Sequence, residues 1–238
     1  MKEINLKSIL YNFLNIAIII ITISLASSIF GSNNTLIWVA VEVAVLMFSK
    51  MTIGIECKQA TLVVFLLFSL IGVSNRLAML NPYAGLLINF ITIFAIMYIP
   101  SRRVRESAYM PFMLCYIFGD SMKTTAENFS SRVISLVAGS LIVSLVYYVY
   151  NRKKEEKKIT LKKFDLTSDR FILSLKMAIG VSLSMFVGAT FGLQKTLWIA
   201  LSTMSITQID FEYTKKKFKH RITSTIIGSF VFVLLFKL

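Results

Sequence analysis

Residues Ser8–Phe30 run for 23 positions without one charged side chain, with Ile18-Ile19-Ile20-Ile21 at the centre. A helix that crosses a bilayer needs about 20 predominantly apolar residues, so this block is long enough to span. The apolar core of a cleaved leader is only about 7–15 residues. Ala26-Ser27-Ser28 is also a poor cleavage site, so a retained helix is expected here. Further apolar blocks follow at 35–48, 60–73, 83–99, 108–118, 133–150, 171–191, 197–209 and 222–236. Turn-forming residues separate them: Gly31-Ser32-Asn33-Asn34, Asn81-Pro82, Pro100 and Gly119-Asp120. The fifth block contains Pro111 and reads as a broken span, and Tyr147–Tyr150 reads as an interfacial aromatic belt.

The expected fold is all-α: a polytopic transmembrane bundle of six helices plus a second set of about three. The composition agrees, since 56% of the 238 residues are apolar and only 16% are charged. Soluble domains carry about a quarter charged residues. A net charge of +14 raises nucleic acid as a partner, but the basic residues lie between apolar blocks, where membrane topology puts them. No nucleic-acid partner is expected. Cys57 and Cys115 are far apart and His220 stands in a lysine run, so no metal site, cofactor or catalytic triad is expected. With no Gly-rich phosphate loop and no nucleophile beside a base, no enzyme is expected.

Orientation follows from the basic residues. With the N-terminus inside, 20 of the 26 lysines and arginines fall on the cytoplasmic side. Arg76, Lys123, Arg132, Lys195 and Lys237 are the five outside, and Lys176 lies within the seventh helix. The opposite orientation inverts that bias. The expected location is therefore the cell membrane, multi-pass, with the N-terminus in the cytoplasm. The charged stretch from Asn151 to Arg170, with Lys153-Lys154-Glu155-Glu156-Lys157-Lys158, divides the chain into a module over 1–150, a basic linker over 151–170 and a partial module over 171–238. That linker reads either as solvated chain or as a surface for anionic lipid or another protein.

A shift of 161 positions lays Phe30-Gly31 on Phe191-Gly192 and Thr35-Leu36 on Thr196-Leu197, with Trp38 and Trp198 one residue out of step. Each half then reads as a long helix, a Phe-Gly turn, a short Trp-bearing helix and a basic loop. An even number of helices in the first half restores the starting side, as a parallel repeat requires.

The stretch Phe191-Gly192-Leu193-Gln194-Lys195-Thr196-Leu197-Trp198-Ile199-Ala200-Leu201, with Gln208, Lys217 to Arg221, Thr225 and Gly228 after it, resembles the start of a FUSC module (fusaric acid resistance, or aromatic acid exporter, type). The resemblance implies two membrane modules of about six helices each around a cytoplasmic segment, and a role in exporting aromatic or other organic acids. Here the cytoplasmic segment is brief and the second module stops after three blocks. The expectation is either a piece of a longer protein or a short form completed by association, as a homo-oligomer for example.

Ionisable groups inside a span are costly and are the first places to look for function. Glu42 lies one turn beyond Trp38 on the same face of the second helix. It is a candidate to take up and release a proton during transport, or else a structural carboxyl. Asp120 ends the fifth block and either lines a cavity or sits at the interface. Lys176 reads as a snorkelling lysine or an anion site. Trp38 and Trp198 stack on an aromatic substrate or anchor helix ends at the interface. Ser202, Ser205, Thr207 and Gln208 could face a pathway. Asp210 and Glu212 with Lys215–Lys219, including Lys217, and Arg221 form either a salt-bridged cytoplasmic loop or a gate that attracts anions. Gly180, Ser182, Ser184, Gly188 and Ala189 read as a close-packing face on the seventh helix.

The leading expectation is an efflux component for organic anions, coupled to protons, with membrane lipid as its surroundings. Two alternatives stay open. One is a passive organic-anion channel, whose current persists without a proton gradient. The other is a non-transporting membrane partner protein.

Overall fold

The computed structural model describes residues 6–101, 107–122, 124–125, 127–154, 165–193 and 195–237. Among these the chain forms nine α-helices and no strand. They are α1 (Leu6–Phe30), α2 (Thr35–Phe48), α3 (Cys57–Ala78), α4 (Pro82–Tyr98), α5 (Met110–Ser121), α6 (Phe129–Asn151), α7 (Asp169–Thr190), α8 (Thr196–Ile206) and α9 (Phe211–Lys237). A single 3-10 turn, Ser32–Asn34, joins α1 to α2. The expected all-α membrane bundle is what forms, six helices before the charged stretch and three after it. Arg102, Arg103, Arg105, Lys123, Gln194 and linker residues 155–164 lie outside the described residues.

Local signals set several boundaries. Asn81 caps α4 by accepting a hydrogen bond from the Tyr83 amide at 2.8 Å, with Pro82 in the first turn. Ser168 caps α7 through the Phe171 amide at 3.3 Å. Gly31 (φ +88°) and Gly192 (φ +61°) both stand in the left-handed region just after a long helix. The shifted Phe-Gly pairs thus carry the same backbone device in both halves.

Three expectations are corrected. The fifth helix is not broken: Pro111 sits in the first turn of α5, where its missing N–H costs nothing, and Asp120 lies in the last turn. The Lys215–Arg221 stretch is not a loop, because α9 begins at Phe211 and carries it in its opening turns. The aromatic belt divides: Tyr147 is fully buried against Phe48, while Tyr148 and Tyr150 are exposed.

Helices α1, α3, α6, α7 and α9 are each long and apolar enough to cross a membrane. The chain is a multi-pass membrane protein. One continuous core joins both halves, running from Trp38, Phe48, Phe68 and Phe112 to Met177, Val181, Met185 and Met204. Phe48 meets Phe112 and Tyr147 at ring-centroid distances of 5.8 and 5.7 Å, and Phe112 meets Phe68 at 5.7 Å. Helix α7 packs along α4, and α8 packs on α7 and α5. Within a bilayer such close packing holds helices together, because lipid tails compete for apolar surface.

At 14, 12 and 11 residues, α2, α5 and α8 reach only about 21, 18 and 16 Å, short of the ~30 Å hydrocarbon core. Carbonyls at their ends need partners from the protein. Asn151 Nδ2 donates to Phe48 O at 2.7 Å, at the end of α2. Arg132 donates to Gly119 O and Met122 O, at 3.1 and 2.9 Å, at the end of α5. Lys176 donates to Ile209 O at 2.7 Å, just past α8. Arg170 likewise donates to Tyr98 O and, at 3.2 Å, to Ile99 O beyond α4. A cation at a helix C-terminus also complements the helix dipole.

These bonds define two ends of the bundle. One gathers Phe30–Asn34, Arg76, Gly119, Met122, Thr124 and Ser131-Arg132. The other gathers Phe48–Cys57, Tyr147–Asn151, Tyr98-Ile99, Arg170 and Ile209.

Candidate functional site

At the first of these ends a 430 Å³ cavity opens between α4, α5, α7 and α8. Its walls come from the α3–α4 corner (Ala78, Met79, Pro82), from Gly85 and Asn89 on α4, and from Asp120 and Ser121 on α5. Helix α7 and the turn after it give Met185, Phe186, Gly188, Ala189, Gly192 and Leu193, and α8 gives Thr196 and Leu197.

Two glycines shape these walls. A Cβ built on Gly188 would stand 2.2 Å from Thr196 Cγ2, and one on Gly85 would stand 2.5 Å from Ala78 O. Both helices therefore approach their neighbours closely only because these positions lack a side chain. A Cβ on Gly180 would likewise stand 3.0 Å from Thr203 Cγ2, so Gly180 and Gly188 lie on the α7–α8 seam.

The polar groups of the cavity are few. Asp120 is half-buried and is the one ionisable side chain among the described lining residues. Asn89 is only 6% exposed, and its Oδ1 accepts a hydrogen bond from the buried Tyr116 hydroxyl at 2.5 Å. With the carbonyl end of that amide engaged, its NH₂ is the end left to serve a ligand. Thr196 and Ser121 direct their hydroxyls to Leu193 O (2.7 Å) and Phe118 O (2.8 Å). Met185, Phe186, Leu193 and Leu197 give an apolar remainder. An apolar cleft with a few placed polar groups is the usual form of a small-molecule site.

Arg132 lies behind the cavity wall rather than in it. It is 3% exposed and donates to Gly119 O, Met122 O and, at 2.8 Å, Asn33 O. Its Nε and the Oδ1 of Asn75 are buried without a partner among the described residues.

Of the residues singled out from sequence for transport or gating, Asp120 lines the cavity, and Trp38, Glu42, Trp198, Gln208, Asp210, Lys217 and Arg221 do not. Trp38 is buried, stacked on Phe30 at 5.4 Å, and its Nε1 donates to Ser135 Oγ at 3.0 Å. It belongs to the buried core. Trp198 is 61% exposed and is not among the lining residues, so the two tryptophans are not equivalent. Glu42 is half-buried on α2 and lines no part of the cavity.

The remaining candidates sit at the opposite end. Gln208 lies in the α8–α9 bend, its amide donating to Thr214 Oγ1 at 3.2 Å. Asp210 accepts from the Glu212 amide at 3.0 Å, in the manner of a helix cap. Lys217 lies over the Tyr213 ring at 5.4 Å, and Arg221 bonds Ser205 Oγ. Sequence reasoning missed Asn89, though a lone asparagine within the apolar run of α4 was a usable signal. It also read Gly188 and Ala189 as packing only, whereas both border the cavity.

Residues 183–238 match the family described as fusaric acid resistance protein-like. The match agrees with the resemblance at Phe191–Leu201. That family suggests membrane transport and efflux. No curated protein and no solved structure matches the chain.

Proposed function

We propose that this membrane chain, which matches that family over residues 183–238, is an efflux transporter component for organic acids, aromatic carboxylic acids foremost, with the α4–α5–α7–α8 cavity as its ligand station. One observation carries the reading: eight of the fifteen described lining residues, Met185 to Leu197, come from the family-matched segment. Fusaric acid is itself an aromatic monocarboxylic acid, and an apolar cavity with one carboxyl and one amide suits that class. With the N-terminus in the cytoplasm, the cavity lies toward the outer face. The basic residues of the other end, among them Lys153, Lys154, Arg170 and Lys215–Arg221, then draw anions toward the inner face. Coupling to the proton gradient belongs to this reading.

The test is accumulation of a radiolabelled aromatic acid in cells that express the chain. Expression should lower the cell content, and Ala189→Trp, which fills the cavity, should restore it at equal membrane abundance. Unchanged accumulation on expression would count against efflux, and full activity of Ala189→Trp would count against the cavity.

A further inference from the structure

Resting on that reading, a specificity-determining contact can be assigned within the cavity. We propose that Asn89 reads a hydrogen-bond-accepting oxygen of the ligand, a carboxyl or ketone oxygen beside an aromatic ring, through its Nδ2, and that Tyr116 on the next helix holds the amide in that orientation.

An asparagine side chain has a donating and an accepting end, and what it offers a ligand depends on which end is left over. Asn89 stands within the apolar run of α4 and is 6% exposed, a setting where an amide is costly unless it is bonded. The fully buried Tyr116 hydroxyl on α5 donates to its Oδ1 at 2.5 Å, and the Thr92 side chain lies against the same hydroxyl. With the phenol donating, Oδ1 is committed as acceptor and Nδ2 is the end left over. Among the described residues the buried side-chain atoms without a partner are Asn34 Oδ1, Asn75 Oδ1 and Arg132 Nε. Nδ2 of Asn89 is not one of these, nor is it bonded within the protein, and the residue lines the cavity. Nδ2 therefore opens onto the cavity.

The other polar groups of the wall leave this donor little competition. Ser121 and Thr196 commit their hydroxyl hydrogens to Phe118 O and Leu193 O. Asp120 is itself engaged, and the contact asks nothing of its charge. Among the neutral described side chains of the lining, the donor open to a ligand is the Asn89 amide. An incoming oxygen accepts from Nδ2, whereas a group that only donates finds no free acceptor on Asn89. Met185, Phe186, Leu193 and Leu197 take the ring. Tyr116 is not among the described lining residues, so its hydroxyl acts on the ligand through Asn89, as a positioning residue.

The experiment is equilibrium binding of radiolabelled benzoate to the full chain in lipid nanodiscs, with displacement by acetophenone, a neutral ligand that accepts but cannot donate. Acetophenone should displace benzoate from the wild type. Asn89→Leu should weaken both ligands roughly tenfold, the size of one hydrogen bond lost in a buried site. Tyr116→Phe should weaken both severalfold on its own, and by less than about twofold when added to Asn89→Leu, because the two act as one unit. Additive losses would overturn the positioning role, since a tyrosine that only packs would give them. Melting temperatures are read alongside, and Tyr116→Phe, which keeps the ring, carries the test where Asn89→Leu folds poorly: undiminished binding of both ligands would then overturn the inference. Undiminished binding by a folded Asn89→Leu chain, or no displacement by acetophenone, would overturn the contact and leave the cavity reading intact. Absence of saturable benzoate binding at any pH would overturn the cavity reading and this contact together.

Discussion

Gly188 on α7 lies so close to Thr196 at the head of α8 that a Cβ added to it would stand 2.2 Å from Thr196 Cγ2 and 2.4 Å from Thr196 Oγ1. The contact closes one corner of the cavity and ties the family-matched segment together. Gly188→Val should therefore force α7 and α8 apart. Overpacking of this kind costs about 1–3 kcal/mol. The expected outcome is a lower melting temperature in detergent and at least roughly a tenfold loss of acid binding. Thr196→Ala introduced alongside should recover part of both. A Gly188→Val chain with wild-type melting and binding would mean the two helices have room that this seam denies them.

The two tryptophans should report opposite surroundings. Trp38 is packed on Phe30 and bonded to Ser135, while Trp198 is mostly exposed. In vesicles with brominated lipid, Trp198→Phe should leave emission that quenches weakly, and Trp38→Phe should leave emission that quenches strongly. Trp38→Phe should also cost about 1 kcal/mol through the lost hydrogen bond to Ser135. Equal quenching of the two single-tryptophan chains would contradict the placement.

Arg132 holds three carbonyls from two separate chain segments, the end of α5 and the turn ahead of α2. A lysine cannot reproduce the planar fork. Bonds to a charged donor are worth about 1.5–3 kcal/mol each and are not additive, so Arg132→Met should destabilise by at least about 3 kcal/mol and Arg132→Lys by less. Denaturant unfolding in mixed micelles checks the order. Because Arg132 positions the last turn of α5, Arg132→Lys should also weaken acid binding.

Glu42 and Asp120 should separate cleanly. Glu42 lies on α2 away from the cavity and Asp120 lies on its wall. Glu42→Gln should leave acid binding within about twofold of wild type, and Asp120→Asn should change it by more than that. A larger change in Glu42→Gln than in Asp120→Asn would move the transport role to α2.

Much of this fold was legible because apolar block length is a strong signal in a bilayer, where each helix must satisfy its own backbone. Ser8–Phe30 and Thr35–Phe48 read as helices from composition alone, and the Phe-Gly pairs read as two turns, whose glycines the fold holds at positive φ. The helix starting at Phe211 was obscured because Lys215–Arg221 is polar and reads as loop, although nothing in it breaks a helix. Pro111 misled for a related reason: its effect depends on whether it falls in a first turn or an interior one. The site was less legible still. Asp120 announced itself as a costly carboxyl, but its partner in the cavity, Asn89, comes from another helix through the α4–α5 packing. Trp38 looked functional because tryptophan is rare here, and only its tertiary neighbours Phe30 and Ser135 show it to be core.

The central claim is that the chain moves an organic acid across a membrane. The most direct test is counterflow of radiolabelled mandelate in proteoliposomes of the purified chain, with empty vesicles giving the leak of the undissociated acid. The account predicts saturable uptake driven by unlabelled acid inside, lost in Ala189→Trp. Uptake indistinguishable from empty vesicles, at every pH and with every aromatic acid tried, would contradict it.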